Sequence, residues 1–424
     1  MSERAFGNSP AATPGYLTAD LPGIGGRIKV EFEDFQVEEI PLYAPSGAGE
    51  HTFFEIEKRG VPTFRAIHEI ARALHIAPQT IGYAGLKDAH AVTRQVLSAE
   101  RVEPDALLAL QLPSIRILWA KRHTNKLKPG HLAGNRFVIR IREVPPEALE
   151  PARAILSVLQ RRGVPNSFGS QRFGRRGDTH ALGRAIVADD GVGFCRLFLG
   201  APLPSETAQI QEARRLYDAG DLPAALAAWP RQFSDERAAL EILLRKKERP
   251  DRYQQTMHSV SKRLRIFFVS AYQSELFNRV MAARLQTLDR LFAGDVATKH
   301  DSGGSFIVTD PAVEQPRADR FEISPSGPLY GYRSLLAEGE PGRLERQILA
   351  DEGLTLEQFK TLEALRIKGG RRPLRFPLRE VESWYDAGVV LKFTLPAGCY
   401  ATNVLAEITK SASLRVEEER EAAG

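Results

Sequence analysis

Cysteine is nearly absent from this chain, which has only Cys195 and Cys399 among its 424 residues. Two isolated cysteines exclude a disulfide framework and a zinc site built from several thiolates. The nine histidines show no H-E-x-x-H or similar ligand spacing, so we expect no structural metal. The cysteine content is typical of a protein that works in a reducing cytoplasm.

Long apolar runs are also missing. No stretch approaches the roughly 20 apolar residues that cross a bilayer, and the N-terminus lacks a basic segment followed by an apolar one. We therefore expect no membrane association. The content of 43% hydrophobic and 26% charged residues indicates a globular protein. The length suggests two or three domains.

Acidic residues are missing from three basic stretches, although the chain as a whole carries a net charge of only +5. The stretches are residues 121–140, 161–177 and 365–376. One such stretch is usually a solvated face, but three in a nearly balanced chain indicate a polyanionic partner, most simply nucleic acid. We expect all three stretches to face that partner.

A glycine-rich stretch, residues 82–93 (G-Y-A-G-L-K-D-A-H-A-V-T), contains the residues best suited to chemistry. Glycines allow a tight turn or a close approach to a ligand. Asp88 follows Lys87, and a neighbouring cation favours the ionised carboxylate that a nucleophile or base requires. Taken alone, such a stretch is better explained as a surface turn with an exposed aspartate. His90, two residues beyond Asp88, receives no catalytic role.

Hydrophobic patterning predicts sheet segments near both ends of the chain and helices in the middle. Alternation or short apolar runs predict strands at 51–58, 114–120, 320–324 and 389–395. Helical spacing predicts helices at 63–76, 147–161, 262–286 and 400–410, with further helical segments between 206 and 248. This order is typical of an α+β domain interrupted by an insertion.

Several stretches, in order along the chain, resemble the TruD-type tRNA pseudouridine synthases. Besides the glycine-rich stretch, they are residues 126–137 (K-L-K-P-G-H-L-A-G-N-R-F), 164–174 (V-P-N-S-F-G-S-Q-R-F-G), 270–278 (S-A-Y-Q-S-E-L-F-N) and 395–402 (L-P-A-G-C-Y-A-T). The departures are Ala89, where the family often has a basic residue, Ser167 for Tyr and Cys399 for Ser.

The resemblance implies an α+β pseudouridine-synthase catalytic domain with a central mixed or antiparallel sheet, interrupted by an inserted α/β domain. We expect a loose lead-in over 1–26, the catalytic domain over 27–164 and 365–415, the inserted domain over 165–364, and an acidic tail over 416–424. The chain looks longer than other bacterial members, with surplus residues near 200–265.

The resemblance also implies a reaction and a set of site residues. Asp88 would be the nucleophile that isomerises uridine, at position 13 of tRNA, to pseudouridine. Lys29, Phe35, Asn135, Phe137 and Tyr400 would bind the substrate, although a lone lysine is usually solvated and the aromatics could be ordinary core residues. Phosphate contacts would come from five basic residues: Lys126, Lys128, Arg172, Arg175 and Arg176. We expect a monomer that uses no cofactor or metal.

Two other functions remain open at this point. The first is an RNA-binding or RNA-folding protein whose catalytic activity is lost or secondary, although binding alone would not need the aspartate. The second is a retaining glycosidase with Asp88 as nucleophile. A glycosidase also needs a second carboxylate as general acid, and no motif places one.

Overall fold

The computed structural model describes residues 15–411. Within them the chain divides into two compact units. One, the split unit, consists of residues 16–164 and 376–411, and the other, the inserted unit, is Pro165–Arg375. The second boundary therefore follows Arg375 rather than position 364, because the strand at Gly370–Pro373 pairs with the strand at Ile323–Leu329 inside the inserted unit.

Fourteen strands occur between residues 15 and 411. In chain order they are β1 (Phe35–Pro41), β2 (His51–Arg59), β3 (Gly82–Tyr83), β4 (Val92–Glu100), β5 (Ile115–His123), β6 (Leu132–Ile141), β7 (Val164–Pro165), β8 (Val296–Lys299), β9 (Ser305–Ile307), β10 (Ile323–Leu329), β11 (Gly370–Pro373), β12 (Arg375–Phe376), β13 (Arg379–Tyr385) and β14 (Val389–Pro396).

The same residues contain fourteen α-helices. They are α1 (Thr63–Ala73), α2 (Pro104–Leu108), α3 (Leu149–Arg162), α4 (Thr179–Val187), α5 (Gly191–Leu199), α6 (Ala208–Asp218), α7 (Leu222–Ala228), α8 (Ser234–Arg245), α9 (Arg252–Ser259), α10 (Lys262–Arg284), α11 (Pro311–Asp319), α12 (Gly339–Asp351), α13 (Leu356–Lys360) and α14 (Ala401–Thr409). Together with the sheets they confirm the predicted α+β class.

An eight-stranded mixed sheet forms the centre of the split unit. Its order is β13-β14-β6-β1-β4-β2-β5, with β3 pairing on β4. The β1–β4 pair is parallel, whereas β6 pairs antiparallel with both β1 and β14. One face of the sheet is covered by α1, whose Ile67 and Ile70 pack on Phe54, Ile56 and neighbouring side chains. Alternation along β2 then places Lys58 on this same face.

The start of the described chain is tied into the split unit. Leu17 and Thr18 donate backbone hydrogen bonds to the Glu407 carboxylate in α14, at 2.7 and 3.1 Å, and the Thr18 hydroxyl adds a third at 2.6 Å. Ile24 N–H donates to the carbonyl of Ile408 at 2.9 Å. Residues 16–26 therefore differ from the loose lead-in predicted for 1–26. Residues 1–14 and the predicted tail 416–424 lie outside the described residues.

The inserted unit combines helices with a small antiparallel sheet of order β11-β10-β8-β9. Its longest helix, α10, is buried along most of its length, including Tyr272, Leu276 and Phe277. Residues 200–265, where the sequence analysis expects surplus length, contain α6 to α9. Of the helices between residues 15 and 411, none is long and apolar enough to cross a membrane.

Candidate active site

The loop that carries Asp88 joins β3 to β4 and is held by hydrogen bonds to buried polar side chains. The Lys87 N–H donates to the Thr63 hydroxyl oxygen at 3.0 Å, and that hydroxyl donates to Gln95 Oε1 at 2.9 Å. Gln95 Nε2 in turn donates to the carbonyl of Gly85 at 3.4 Å. Thr63 and Gln95 are both buried. The start of α1 and the middle of β4 thus set the position of the loop.

A buried ion pair anchors the same loop from a second direction. Lys87 Nζ lies 2.6 Å from Glu39 Oε2, and the two side chains are 5% and 1% exposed. The other oxygen of Glu39 accepts a hydrogen bond from Val96 N–H at 3.2 Å. The carboxylate therefore accepts a backbone N–H of β4 just beyond the last β1–β4 pair, which joins Glu38 and Arg94. Removing one partner of such a pair leaves an uncompensated buried charge, which is strongly destabilising.

Lys58 holds the backbone of the loop at the aspartate itself. Its ammonium group donates to the Asp88 carbonyl at 2.9 Å and to the Lys87 carbonyl at 3.5 Å, and the residue is 1% exposed. Burial lowers the pKa of Lys58 to about 8; the Asp88 carboxylate opposes this shift and the Lys87 charge adds to it. A buried lysine with a lowered pKa beside a half-exposed carboxylate is the type of group found at functional sites.

The Asp88 carboxylate faces a second cation. Lys29 Nζ lies 4.0 Å from Asp88 Oδ1; the lysine side chain is 11% exposed and that of the aspartate 45%. The carboxylate is thus accessible to a ligand while its counter-charge is held in the protein. Lys29 has a φ of 54°, in the left-handed region that non-glycine residues rarely adopt. Its ammonium group also lies 4.6 Å from the centroid of the Phe35 ring.

Aromatic rings continue from Lys29 into the sheet. Phe35 and Phe137 meet edge to face with centroids 6.2 Å apart, and Phe137 stacks on Phe393 of β14 at 5.5 Å. Phe35 is 2% exposed and Phe137 6% exposed. The two predicted substrate-binding rings are therefore core residues in this structure. They form a wall beside Lys29 and present little open surface.

Asn135 stands two positions before Phe137 on the same face of β6, opposite Glu39 of β1 and Leu395 of β14. Its Oδ1 is buried and has no hydrogen-bond partner in the described residues. Buried polar atoms are nearly always bonded, so an unpaired acceptor needs an explanation such as a ligand. Tyr400, by contrast, is 51% exposed and precedes α14. The His90 ring is exposed and contacts Phe32, with ring centroids 4.6 Å apart.

The three arginines predicted to bind phosphate have different environments. Arg176 is used inside the inserted unit, at 2.8 Å from Asp178 and 2.6 Å from Glu206, and it also donates to the Ala201 carbonyl. Arg172 donates to Ser274 Oγ at 3.0 Å. Arg175 is exposed and forms no ion pair within the described residues. Of the three, Arg175 is the one available to a ligand.

The third basic stretch corrects the expectation that all three face a polyanion. Arg371 forms a buried ion pair with Glu345 at 2.8 Å, and both side chains are 3% exposed. Arg375 is 1% exposed and donates to the Ser324 hydroxyl oxygen and the Ala318 carbonyl. These arginines stabilise the inserted unit, and Glu345, the acidic partner of Arg371, is distant in sequence. A stretch of sequence without Asp or Glu can therefore contain arginines that are paired and buried in the fold.

No group of three or more His, Cys, Asp or Glu side chains within residues 15–411 is placed to hold a metal ion.

Comparisons with known proteins give this arrangement a family. The family model for tRNA pseudouridine synthase D (TruD) matches residues 13–408. The tRNA pseudouridine synthase D of Geobacter metallireducens is 50% identical over 396 residues, which are 93% of this chain and 97% of that protein. The protein of the same name from Anaeromyxobacter dehalogenans strain 2CP-1 is 38% identical over 399 residues, 93% of this chain and 96% of that protein. A crystal structure described as TruD from Methanosarcina mazei superposes with a TM-score of 0.84 at 29% identity, covering 95% of this chain and 97% of that one.

The mixed sheet, the aspartate loop and these matches together define a pseudouridine synthase, an isomerase of RNA. Within that class the chain belongs to the tRNA pseudouridine synthase D (TruD) family, and the resemblance seen in the sequence is confirmed. The family isomerises uridine to pseudouridine in tRNA.

Sequence reasoning missed Lys58, Glu39 and the part that Lys87 plays. In the sequence, Lys58 and Glu39 look like ordinary charged positions of half-buried strands. The available signal was position: each lies on the alternation that carries the apolar side chains of its strand, Phe54 and Ile56 for β2 and Phe35 and Val37 for β1. A charged side chain at such a position is buried with the apolar ones and must be paired, unless the strand bends there.

Proposed function

We propose that this protein isomerises a uridine of tRNA to pseudouridine, that the uridine is at position 13, and that Asp88 is the nucleophile. The observation that carries the proposal is the half-exposed Asp88 carboxylate, 4.0 Å from Lys29 Nζ, on a loop whose backbone is held by the buried Lys58. Membership of the TruD family supports the reaction and the RNA class.

The reaction has to break the N1–C1′ bond of uridine, turn the free uracil and form a C5–C1′ bond. One proton leaves C5 and one is gained at N1, so the product has the same atoms as the substrate. No oxidant, reductant or group donor is consumed. A carboxylate nucleophile divides this difficult exchange into two easier steps, which is the role of Asp88.

The target base must leave its stack to reach Asp88, and a flipped base is read by hydrogen bonds to its edge and by contact with apolar side chains. Asn135 supplies the edge contact, because its unpaired Oδ1 can accept the N3–H of uracil. Phe35 and Phe137 form the apolar wall, and the exposed Tyr400 ring is the aromatic side chain free to move over the base. Lys29 supplies the countercharge to Asp88.

The remaining assignments follow from the same proposal. Catalysis belongs to the split unit, which contains all the substrate-binding residues named above. The exposed Arg175 of the inserted unit and Lys126 and Lys128 of the split unit contact phosphates. The protein acts in the cytoplasm, as a monomer and without a cofactor.

An RNA-binding protein without catalysis is the second candidate. It is disfavoured by the half-exposed Asp88 and by the unpaired acceptor on Asn135, because neither is needed to hold phosphates. A glycosidase is disfavoured by family membership. Glu39 cannot serve as the second carboxylate because it is 1% exposed and paired with Lys87.

The test is pseudouridine mapping on unmodified tRNA transcripts incubated with the purified full-length protein. We expect one new pseudouridine per tRNA, at position 13, and none in a transcript with cytidine at that position. A product at another uridine would refute the position while leaving the reaction standing. Tight tRNA binding with no product on any transcript would favour the RNA-binding candidate.

The different environments of Arg175 and Arg176 predict different effects when each is replaced by alanine. Arg176→Ala should lower the free energy of unfolding by about 3 kcal/mol, because it removes the ion pairs with Asp178 and Glu206 and leaves Glu206 paired only with Arg214. Its KM for tRNA should stay within about twofold of the wild-type value. Arg175→Ala should leave the melting temperature unchanged and raise KM, because an exposed cation contributes mainly to RNA affinity. An Arg176→Ala protein with wild-type stability and weakened tRNA binding would reverse the two assignments.

A further inference from the structure

A recess with aromatic walls lies in the split unit, separate from the Asp88 carboxylate. Its volume is about 340 Å³, and its lining includes Tyr43, Phe53, Trp119 and Leu127. The walls are held in place by hydrogen bonds: Trp119 Nε1 donates to Glu55 at 2.9 Å, and the Tyr43 hydroxyl lies 2.7 Å from His131 Nδ1. The volume is within the usual range for small-molecule sites, which are mostly apolar and pre-formed.

The recess continues into a polar depression of about 790 Å³, with which it shares Tyr43, Ala44 and His131. His51 and His123 of adjacent strands line this depression. His123 Nδ1 accepts from Ser46 N–H at 3.1 Å, so its Nε2 carries the proton of the neutral ring and is a donor. His51 Nδ1 is buried and has no hydrogen-bond partner in the described chain.

Two lysines at the depression are not neutralised. Lys126 and Lys128 both line it, and neither lies within 4.0 Å of a carboxylate oxygen in the part of the chain that the structure describes. Lys126 instead donates to the Gln79 carbonyl, and Lys128 is exposed. No Asp or Glu occurs between residues 121 and 140. The depression therefore presents positive charge and N–H donors beside an aromatic recess.

We infer that the recess and the depression together bind one nucleotide of the RNA substrate other than the target uridine. The base lies between the rings of Tyr43 and Trp119, and its phosphate lies at Lys126 and Lys128. The inference rests on the proposed function and adds a second RNA subsite to it. Flat aromatic side chains and a cationic groove are the combination by which proteins hold unstacked nucleotides.

The geometry connects this subsite to the catalytic loop without merging the two. Glu39 lines the recess and pairs with Lys87, the residue before Asp88. The Gly130 N–H, in the segment between Lys128 and His131, donates to the Ala84 carbonyl in the Asp88 loop at 2.8 Å. Asp88 is not among the residues that line the recess, so the base that we place there is not the one at the Asp88 carboxylate. The occupant is therefore a different nucleotide of the same strand.

Trp119 provides a direct readout, because the chain has only two other tryptophans, Trp229 and Trp384. We expect tRNA to quench the fluorescence of the wild-type protein, and we expect Trp119→Phe to remove most of that change. The same titration with a free nucleoside monophosphate identifies the source of the base. Quenching by tRNA but not by micromolar nucleotide supports an RNA subsite. Saturation by micromolar nucleotide, or a tRNA signal that survives Trp119→Phe, would overturn it.

The phosphate contact is tested by Lys128→Gln against Lys392→Gln, a control in which the lysine is ion-paired with Glu382 at 2.8 Å. Lys128→Gln should raise KM for tRNA about fivefold and reduce the slope of log affinity against log salt by about one. An unchanged KM and salt slope would overturn the inference. Pseudouridine formation is followed in the same reactions. A wild-type protein that makes no pseudouridine therefore refutes the proposed function. The second RNA subsite is tested independently, by the Trp119 fluorescence change and by the salt dependence of tRNA binding.

Discussion

Asp88→Asn is expected to abolish pseudouridine formation while the protein still folds and binds tRNA. The amide keeps the size of the side chain but cannot act as a carboxylate nucleophile, so the rate should fall by at least about a thousandfold. The Kd for tRNA should change by less than about threefold, because phosphate contacts supply most of the affinity. A side chain that is 45% exposed can be replaced without opening a cavity, so the melting temperature should hardly change.

Release of tritium from C5-labelled uridine is a suitable assay, because the C5–H bond must break when the C5–C1′ bond forms. Asp105→Asn is a matched control: it makes the same change at an exposed aspartate in α2 of the same unit. An Asp88→Asn protein with a tenth or more of the wild-type rate would show that another group starts the reaction. Loss of tRNA binding by the variant would show instead that Asp88 organises the binding surface.

Local patterning was sufficient for the helices that carry a clear apolar stripe. Helix α1 was predicted over 63–76 and is found at Thr63–Ala73. Ile67, Ile70 and Ala71 of the predicted apolar stripe are buried, whereas Phe64 of the same stripe is 50% exposed. The helix ends before His75, whose φ is 56°. The left-handed residue was not visible in the sequence, because histidine carries no strong signal for it. Periodicity located the element, and backbone conformation set its end.

Strand β10 shows where patterning failed. It covers Ile323–Leu329, whereas the prediction ended at 324, because Pro325 and Pro328 argue against a strand. The structure accommodates the prolines by changing partners. β10 pairs with β8 through Ile323, Ser324 and Pro325, and with β11 from Ser326 onward. Each proline lacks a backbone N–H donor. The strand tolerates this because none of its residues pairs with both neighbouring strands at once.

Local patterning likewise finds some residues of the candidate site and misses others. Asp88 and Asn135 could be selected in advance because they stand in motifs with recognisable spacing. Lys58 could not, because its role depends on two carbonyls of a loop about 30 positions away in sequence, at Lys87 and Asp88. The buried pairing of Arg371 with Glu345 was missed for the same reason. Contacts between segments far apart in sequence leave little trace in a local window.

Lys58→Met is the second substitution from which we expect a large effect. Methionine fills similar space but cannot donate to the carbonyls of Lys87 and Asp88, so the loop loses the ammonium group that fixes it. A displacement of about 1 Å at a catalytic group can reduce the rate by about a hundredfold. We therefore expect kcat to fall by about that factor, with KM for tRNA within about twofold of wild type. The control is Lys392→Met, the same change at a partly exposed lysine that pairs with Glu382.

The pH dependence of stability separates a positioning role from a structural one. The pKa of Lys58 is about 8 in the folded protein and returns to the ordinary lysine value of about 10.4 on unfolding. The folded state thus binds this proton more weakly than the unfolded state. The contribution of Lys58 to the free energy of unfolding of the wild type should consequently rise by about 2.5 kcal/mol between pH 8 and pH 10.4, and Lys58→Met should lack that rise. At pH 7 the variant should be within about 1 kcal/mol of wild type, because a buried charge has been replaced by an apolar side chain.

The pH dependence of kcat reports on the protonation state of Lys58. If the ammonium form of Lys58 holds the loop, kcat of the wild type should decline as pH rises through about 8, where the group loses its proton. Lys58→Met should be slow at every pH and should lack that decline. A variant that unfolds at pH 7 would show that Lys58 is needed for the fold itself. A stable variant with wild-type kcat would show that Thr63, Gln95 and the Glu39–Lys87 pair are enough to position Asp88, and that the buried lysine has no part in catalysis.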